Sequence, residues 1–157
     1  MRHGLNNGRL LDGLAALLLA CTALSKANAS EKNEIPYEEL KAAGQKYLTA
    51  RCTPKEIAAL EKKLRAQVQT RIQDQGSDED RVTREIMLEW AASNSGKIRK
   101  KDPQAVIQAS FFFVRFVEKG FLMPWQIRDS LTPKVVKEIL DYLNTEADKA
   151  GTKSPKP

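Results

Sequence analysis

The 157-residue chain has 26 lysines and arginines against 20 aspartates and glutamates, but only one histidine and two cysteines. His3 and Cys21 both lie within residues 1–29, so the rest of the chain has no histidine and a single cysteine. This composition excludes Ser-His-Asp and Cys-His nucleophile sites and histidine or thiolate metal centres from that part. No Gly-rich phosphate-binding motif is present, so common nucleotide enzymes are excluded and no cofactor is expected.

Residues 1–29 have the pattern of an export signal, with arginines in a polar start, an apolar run over 14–24 and small residues before Ser30. The apolar run is too short to span a bilayer as a stable helix. Two ends of the signal stay open. Cleavage after Ala29 predicts a periplasmic or secreted protein. Lipidation of Cys21, whose tetrapeptide LLAC resembles a bacterial lipobox, predicts an outer-membrane lipoprotein held to the membrane by that lipid.

The remainder divides into a linker over 30–35, a single domain over 36–150 and a tail over 151–157 that has no core residues and is predicted to be disordered. From Ser30 onward, 23 basic and 19 acidic residues are interleaved. This balance is typical of a helical surface in water, and no nucleic-acid partner is expected for an exported protein.

Helical periodicity and caps recur along the domain, and no strand pattern is present. The sequence therefore predicts an all-α, single-domain bundle of about five main helices and one short helix. The clearest start signal is the capping box Thr53-Pro54-Lys55-Glu56. The predicted helices cover residues 36–51, 54–75, 78–93, 103–119, 125–129 and 133–150.

The predicted helix over 103–119 holds four of the five phenylalanines and is bounded by the Asp102 cap and Gly120. A helix this apolar must be covered on most sides, so we expect it at the centre of an orthogonal or up-down bundle, with the first helix laid across four-helix packing. Phe111 falls among the polar residues of this helix. It is either covered by another helix, the C-terminal one, or an anchor for a partner.

The basic run KIRKK at residues 97–101 follows Asn94-Ser95-Gly96, which is predicted to stop the third long helix. Two interpretations stay open for this run. It is either a solvated loop whose charges follow a helix C-terminus, or a patch for anionic lipid headgroups or an acidic protein surface. Ile98 in its middle favours the second interpretation.

Aromatic and methionine side chains lie around the turn after Gly120, where they are typical of interface anchors, and the basic run is expected to form an electrostatic rim beside them. No catalytic or metal-ligating residue is assigned. The candidate partner-binding residues are Phe111, Phe121, Met123, Trp125, Lys97, Ile98, Arg99, Lys100 and Lys101.

The leading hypothesis is a non-catalytic, exported helical module that binds another envelope protein, as an accessory or assembly factor of a secretion or surface apparatus. The segment GQKYLTARC at 44–52 resembles the aromatic-Leu-x-x-x-Cys segment of some pilotin lipoproteins, small helical proteins that escort secretion-system subunits. The resemblance covers nine residues, and the disulfide partner usual in those proteins is absent. It implies only a pilotin-like or chaperone-like class of function.

Two alternatives belong to other function classes. The first is a periplasmic inhibitor or immunity-type protein that uses the same surfaces on a different partner. The second is a small helical enzyme acting on glycans, because Glu85 and Glu89 lie one helical turn apart beside Trp90 and paired carboxylates serve glycoside hydrolysis.

Overall fold

The computed structural model describes residues 35–75 and 78–153, in which it shows six helices and no strand. The all-α class and the helical bundle are therefore confirmed for this part of the chain. The export signal with Cys21, most of the linker and residues 154–157 lie outside the described residues. The helices are α1 (Tyr37–Arg51), α2 (Pro54–Gln75), α3 (Glu79–Arg99), α4 (Pro103–Glu118), α5 (Trp125–Ser130) and α6 (Pro133–Lys153).

Helices α2 and α4 begin where their sequence caps predict. In the capping box of α2, the Glu56 backbone N–H donates to the Thr53 hydroxyl at 3.1 Å, and the Thr53 N–H donates to the Glu56 carboxylate at 3.2 Å. At the start of α4, the Asp102 carboxylate accepts the Ala105 N–H at 3.1 Å. Each cap satisfies backbone donors that have no partner within the helix.

The predicted stop of α3 is wrong, because the helix continues through residues 94–96 to Arg99. The Asn94 side-chain amide donates to the carbonyl of Trp90 at 2.8 Å, so it is satisfied inside the helix and does not break it. Ile98, in the last turn, is fully buried. Most of the basic run is therefore helical, and the chain turns only at Lys101, whose φ is 59°.

The last helix also differs from its prediction, since α6 continues through Gly151 to Lys153. The first three residues of the predicted disordered tail are therefore helical. Nothing in its first twenty residues interrupts the 3.6-residue repeat that buries Ile139, Leu143 and Ala147 against the rest of the bundle.

Helix α4 is the centre of the fold and packs against α1, α2 and α3. Nine of its 16 residues are buried, which is why its sequence is apolar around most of its circumference. Helix α6 packs mainly against α1. The first helix therefore lies between α4 and α6 instead of across the outside of the bundle. The buried residues of α4 are Ala105, Val106, Ala109, Ser110, Phe111, Phe112, Phe113, Val114 and Phe116.

Helices α1 and α4 approach each other closely at Gly44. A Cβ atom at this position would lie 3.3 Å from Cγ2 of Val114, closer than ordinary van der Waals contact. The neighbouring side chains of Leu40, Tyr47 and Leu48 are at most 1% exposed. The absence of a side chain at Gly44 thus permits the tight contact that seals this part of the core.

Helices α3 and α4 run antiparallel. The rings of Trp90 and Phe112 meet edge to face with centroids 5.4 Å apart, and the guanidinium of Arg84 lies 5.9 Å from the Phe116 ring centroid. Residue numbers thus fall along α3 as they rise along α4. The turn at Lys101 joins the two helices at one end, and the turn after Gly120 lies at the other.

Candidate functional site

The structure does not bring the two groups of predicted contact residues together. The basic run at 97–101 lies before the first residue of α4, and the aromatic turn begins after its last residue. A 16-residue helix has a length of about 24 Å at ~1.5 Å per residue. The basic run therefore does not rim the aromatic turn, and the two are separate surfaces.

Phe111 belongs to the core, since its side chain is 2% exposed. Its ring lies under the guanidinium of Arg115, 5.5 Å from the ring centroid. Arg115 in turn binds the Glu61 carboxylate of α2 through two nitrogens at 2.7 and 2.8 Å. Helix α2, and not the C-terminal helix, supplies this cover, because α6 packs on α1. Phe111 is therefore not presented to a partner.

The basic run is divided between the core and the surface. Ile98 is fully buried and attaches the last turn of α3 to the core, so it is not an interaction residue on this surface. The ammonium of Lys101 lies 5.5 Å from the Tyr142 ring centroid, in cation–π contact with α6. Lys97, Arg99 and Lys100 are exposed. The basic run is thus the cationic end of α3, which the buried Ile98 side chain fixes to the bundle.

The chain segment over 120–124, which we call the Leu122 turn, joins α4 to α5. Gly120 has φ 72°, the left-handed conformation that ends α4. Phe121 is half-buried, with its ring edge-on to Phe116 at 5.2 Å, and Met123 is 6% exposed. Leu122, between them, is 80% exposed. Of the predicted aromatic contacts, Phe121 and the half-buried Trp125 remain accessible, and Met123 does not.

Leu122 was missed by the sequence reasoning, although a signal for it is present. The segment between Gly120 and Trp125 is not helical, and side chains alternate in direction along an extended chain. If Phe121 and Met123 point into the core, the residue between them must point outward. Reading this segment with a period of two would have identified Leu122.

Two basic side chains lie beside the Leu122 turn. The Arg84 guanidinium donates to the Leu122 carbonyl at 3.1 Å, and Lys119 pairs with Asp80 at 3.3 Å. The local surface therefore combines an exposed leucine with the Arg84 guanidinium and the Lys119–Asp80 ion pair.

A groove of about 280 Å³ lies between α2 and α3, with α4 as its floor. Glu89 lines this groove and pairs with Arg71 at 3.0 Å. Glu85 does not line it and pairs with Arg81 at 3.2 Å. The two carboxylates considered for glycan hydrolysis are therefore not brought into one cavity. The groove is lined by Leu60, Lys63, Leu64, Gln67, Arg71, Ile86, Glu89, Trp90, Ser93, Asn94, Gln108 and Phe112.

The pilotin-like segment lies at the C-terminal half of α1, where its members serve the core. Tyr47 and Leu48 are each 1% exposed, and Cys52 caps the helix by donating its N–H to the Leu48 carbonyl at 2.8 Å. Partial burial, with the Glu56 carboxylate nearby, raises the pKa of the Cys52 thiol. The thiolate, which is the reactive form, is therefore disfavoured at neutral pH.

Metal-ligand clusters and membrane-spanning helices are both absent from the described ranges. Residues 35–75 and 78–153 hold no cluster of three or more His, Cys, Asp or Glu side chains suited to a metal ion. Over the same ranges, no helix has the length and apolar content that crossing a membrane requires.

Comparisons with protein-family models, with curated proteins and with solved structures give no match to this chain.

Proposed function

We propose that this chain is a non-catalytic, exported helical module that binds another protein of the bacterial cell envelope through the Leu122 turn. In this role it is an accessory or assembly factor of a secretion or surface apparatus. The observation that carries the proposal is the 80% exposure of Leu122 on a turn whose neighbouring residues are fixed to the core.

The turn is held in one conformation by three contacts. The Phe121 ring packs on Phe116, the Met123 side chain is buried, and Arg84 holds the backbone carbonyl of Leu122. A contact residue that is already fixed loses little conformational entropy when a partner binds. Scattered exposed leucines are common on proteins, but an anchored turn with half-buried aromatics on both sides of its leucine supports an interaction site.

The charges around the turn indicate the chemistry of the partner. Beside the leucine, the basic Arg84 and Lys119 outnumber the acidic Asp80, which pairs with Lys119. The complementary surface is an apolar pocket with an acidic border, which would speed association and orient the two proteins. The binding is therefore expected to weaken as salt concentration rises.

The location in the envelope rests on the sequence pattern of residues 1–29. Intact-mass measurement of the protein from membrane and soluble fractions of its native cells tests it. A diacylated species that begins at Cys21 would establish a lipoprotein, and a species that begins at Ser30 would establish a soluble periplasmic or secreted protein. A species that retains Met1 in the cytoplasmic fraction alone would contradict export.

Site-specific photocrosslinking in native cells tests the interaction. A photoreactive phenylalanine analogue at position 122 is expected to give a discrete crosslinked product, and the same analogue at the exposed Lys134 of α6 serves as the matched control. Leu122→Asp should lose the partner while the helical circular dichroism is unchanged, because the side chain contributes nothing to the core. Equal products at positions 122 and 134, or binding unaffected by Leu122→Asp, would contradict the proposal.

The crosslinked partner also distinguishes the leading role from the inhibitor alternative. If the partner is an envelope enzyme whose activity falls on binding, the chain is an inhibitor or immunity-type protein. If the partner is a structural subunit whose assembly fails when Leu122 is replaced, the chain is an assembly factor. Both outcomes use the same turn.

A further inference from the structure

The groove between α2 and α3 has hydrogen-bonding groups without partners. Within the described residues, the side chains of Gln67, Ser93 and Gln108 and the indole N–H of Trp90 make no hydrogen bond. Asn94 uses its amide N–H on a backbone carbonyl, so its amide oxygen is free to accept another bond. These donors and acceptors all line one groove, in which Gln67 and Ser93 are exposed and Gln108 and Trp90 are half-buried, so a ligand would replace water at them.

The floor of the groove is apolar. Leu64 is 6% exposed and Phe112 is 2% exposed, so both present small apolar patches at the base of the cavity. Trp90 is held edge to face on Phe112, with an interplanar angle of 87°, which fixes the position of the indole. The groove therefore combines polar walls with an apolar base that the Trp90–Phe112 contact holds in place.

The charges of the groove nearly cancel. Arg71 and Glu89 pair with each other at 3.0 Å, and Lys63 is the one lining charge without an ion-pair partner among the described residues. A polyanion could pair only with Lys63 here, and a cationic ligand would have no carboxylate to pair with, because Glu89 is bound to Arg71. The groove accordingly favours a neutral or singly negative ligand.

We propose that this groove binds a short N-acetylated saccharide. Sugar hydroxyls match the free donors and acceptors of Gln67, Gln108 and Ser93, and the acetamide group matches the planar side-chain amides. The acetamide methyl and the C–H face of the ring match the half-buried side chains of Leu60 and Trp90. The volume of about 280 Å³ lies just below the ~300 Å³ at which ligand pockets usually begin, so about one or two sugar rings fit.

Tryptophan fluorescence tests the proposal directly. In a Trp125→Phe background, Trp90 is the remaining tryptophan of the chain and lines the groove. Titration with chitobiose, the dimer of N-acetylglucosamine, should give a saturable change with Kd on the order of 1 mM. Cellobiose, which lacks the acetamide, should bind at least about tenfold more weakly, because the amide partners stay unpaired.

A double variant and a single variant supply a matched comparison. Gln67→Ala combined with Gln108→Ala should weaken chitobiose binding by about tenfold or more, since each substitution removes a hydrogen bond to the sugar. Gln69→Ala, an exposed position on the same helix that does not line the groove, should leave the affinity unchanged. Circular dichroism of all variants separates lost binding from lost folding.

Three results would overturn the proposal. The first is the absence of any fluorescence change with chitobiose up to about 50 mM, far above the expected Kd. The second is equal binding of chitobiose and cellobiose, or tighter binding of N-acetyl-alanyl-alanine amide, which would identify a peptide site. The third is an equal loss of affinity in Gln69→Ala. None of these results bears on the Leu122 turn, which shares no residue with the groove.

Discussion

Helices α1 and α2 differ in how firmly they are attached to the molecule. Helix α1 has 15 residues, of which five are buried between α4 and α6. Helix α2 has 22 residues, yet Leu64 and Val68 are its only buried side chains over 54–74. Helix length therefore says little about contribution to the core, because burial depends on how many neighbours cover the helix.

Two ion pairs add to the partly buried apolar contacts that Ile57, Leu60 and Ile72 of α2 make with the core. Arg115 of α4 binds Glu61 near its start, and its Arg71 binds Glu89 of α3. Both ion pairs are partly exposed, and such pairs contribute on the order of 1 kcal/mol or less. The groove lies along the same interface, where packing is incomplete. The weakly packed helix is therefore also the one beside which a groove remains open.

The largest expected difference is between matched leucine truncations in the two helices. Leu48→Ala in α1 removes a side chain that is 1% exposed and should lower the free energy of unfolding by about 3 kcal/mol. Leu60→Ala in α2 removes a half-buried side chain at the groove and should cost about 1 kcal/mol. Urea denaturation of both variants measures the difference. Equal losses would show that α2 is packed as firmly as α1.

A smaller effect is expected from filling the close approach of α1 and α4. Gly44→Leu forces the helices apart at Val114 and should cost about 2 kcal/mol, the usual range for overpacking. Gly96→Ala is the matched control, because its Cβ meets no atom within 4 Å and it lies inside a helix. That variant should gain ~0.5–1 kcal/mol from helix propensity. An unchanged melting temperature in Gly44→Leu would mean that the contact is not tight.

The smallest effect concerns pH and again belongs to α1. Burial raises the pKa of Tyr47 to about 12, although the nearby Arg51 guanidinium lowers it. The unfolded chain releases this proton near pH 10, so stability is fully present below that pH and is lost as pH rises toward 12. By about pH 11 the loss should approach 1.4 kcal/mol.

Thermal denaturation of Tyr47→Phe over the same alkaline range measures that contribution. Tyr37 and Tyr142 also have raised pKa values because they are partly buried, so the variant should show a shallower decline and not a flat one. All three tyrosines lie in α1 and α6 and none in α2, so the alkaline loss reports on the α1 side of the bundle. A decline as steep as that of the unmodified protein would contradict the assignment.

The sequence predicted local structure well wherever a side chain acts on its own helix. The Thr53 capping box and the Asp102 cap are properties of four consecutive residues, and both starts are correct. The predicted end of α3 was wrong because Asn94 and Gly96 favour termination locally. In the folded molecule, burial of the Ile98 side chain stabilises one more helical turn. That advantage is tertiary and is invisible in a window of a few residues.

The candidate sites were less predictable for the same reason. A helical wheel places Phe111 on the polar side of α4, but it does not show that Glu61 and Arg115 together close over that side. The separation of the basic run from the Leu122 turn follows from the length of α4 and could have been deduced from its bounds. The groove could not, because its walls come from three helices whose pairing no local pattern specifies.

Because the groove is lined partly by α2, a ligand bound in it would stabilise the attachment of α2 to the rest of the bundle. Any ligand that binds only the folded form adds a free energy of RT ln(1 + [L]/Kd), or about 2.7 kcal/mol at a hundredfold excess over Kd. Because the walls belong to α2 and α3, this gain acts first against local opening of α2. Amide hydrogens of α2 should therefore exchange more slowly when the groove is filled, while those of α1, already protected by packing, change little.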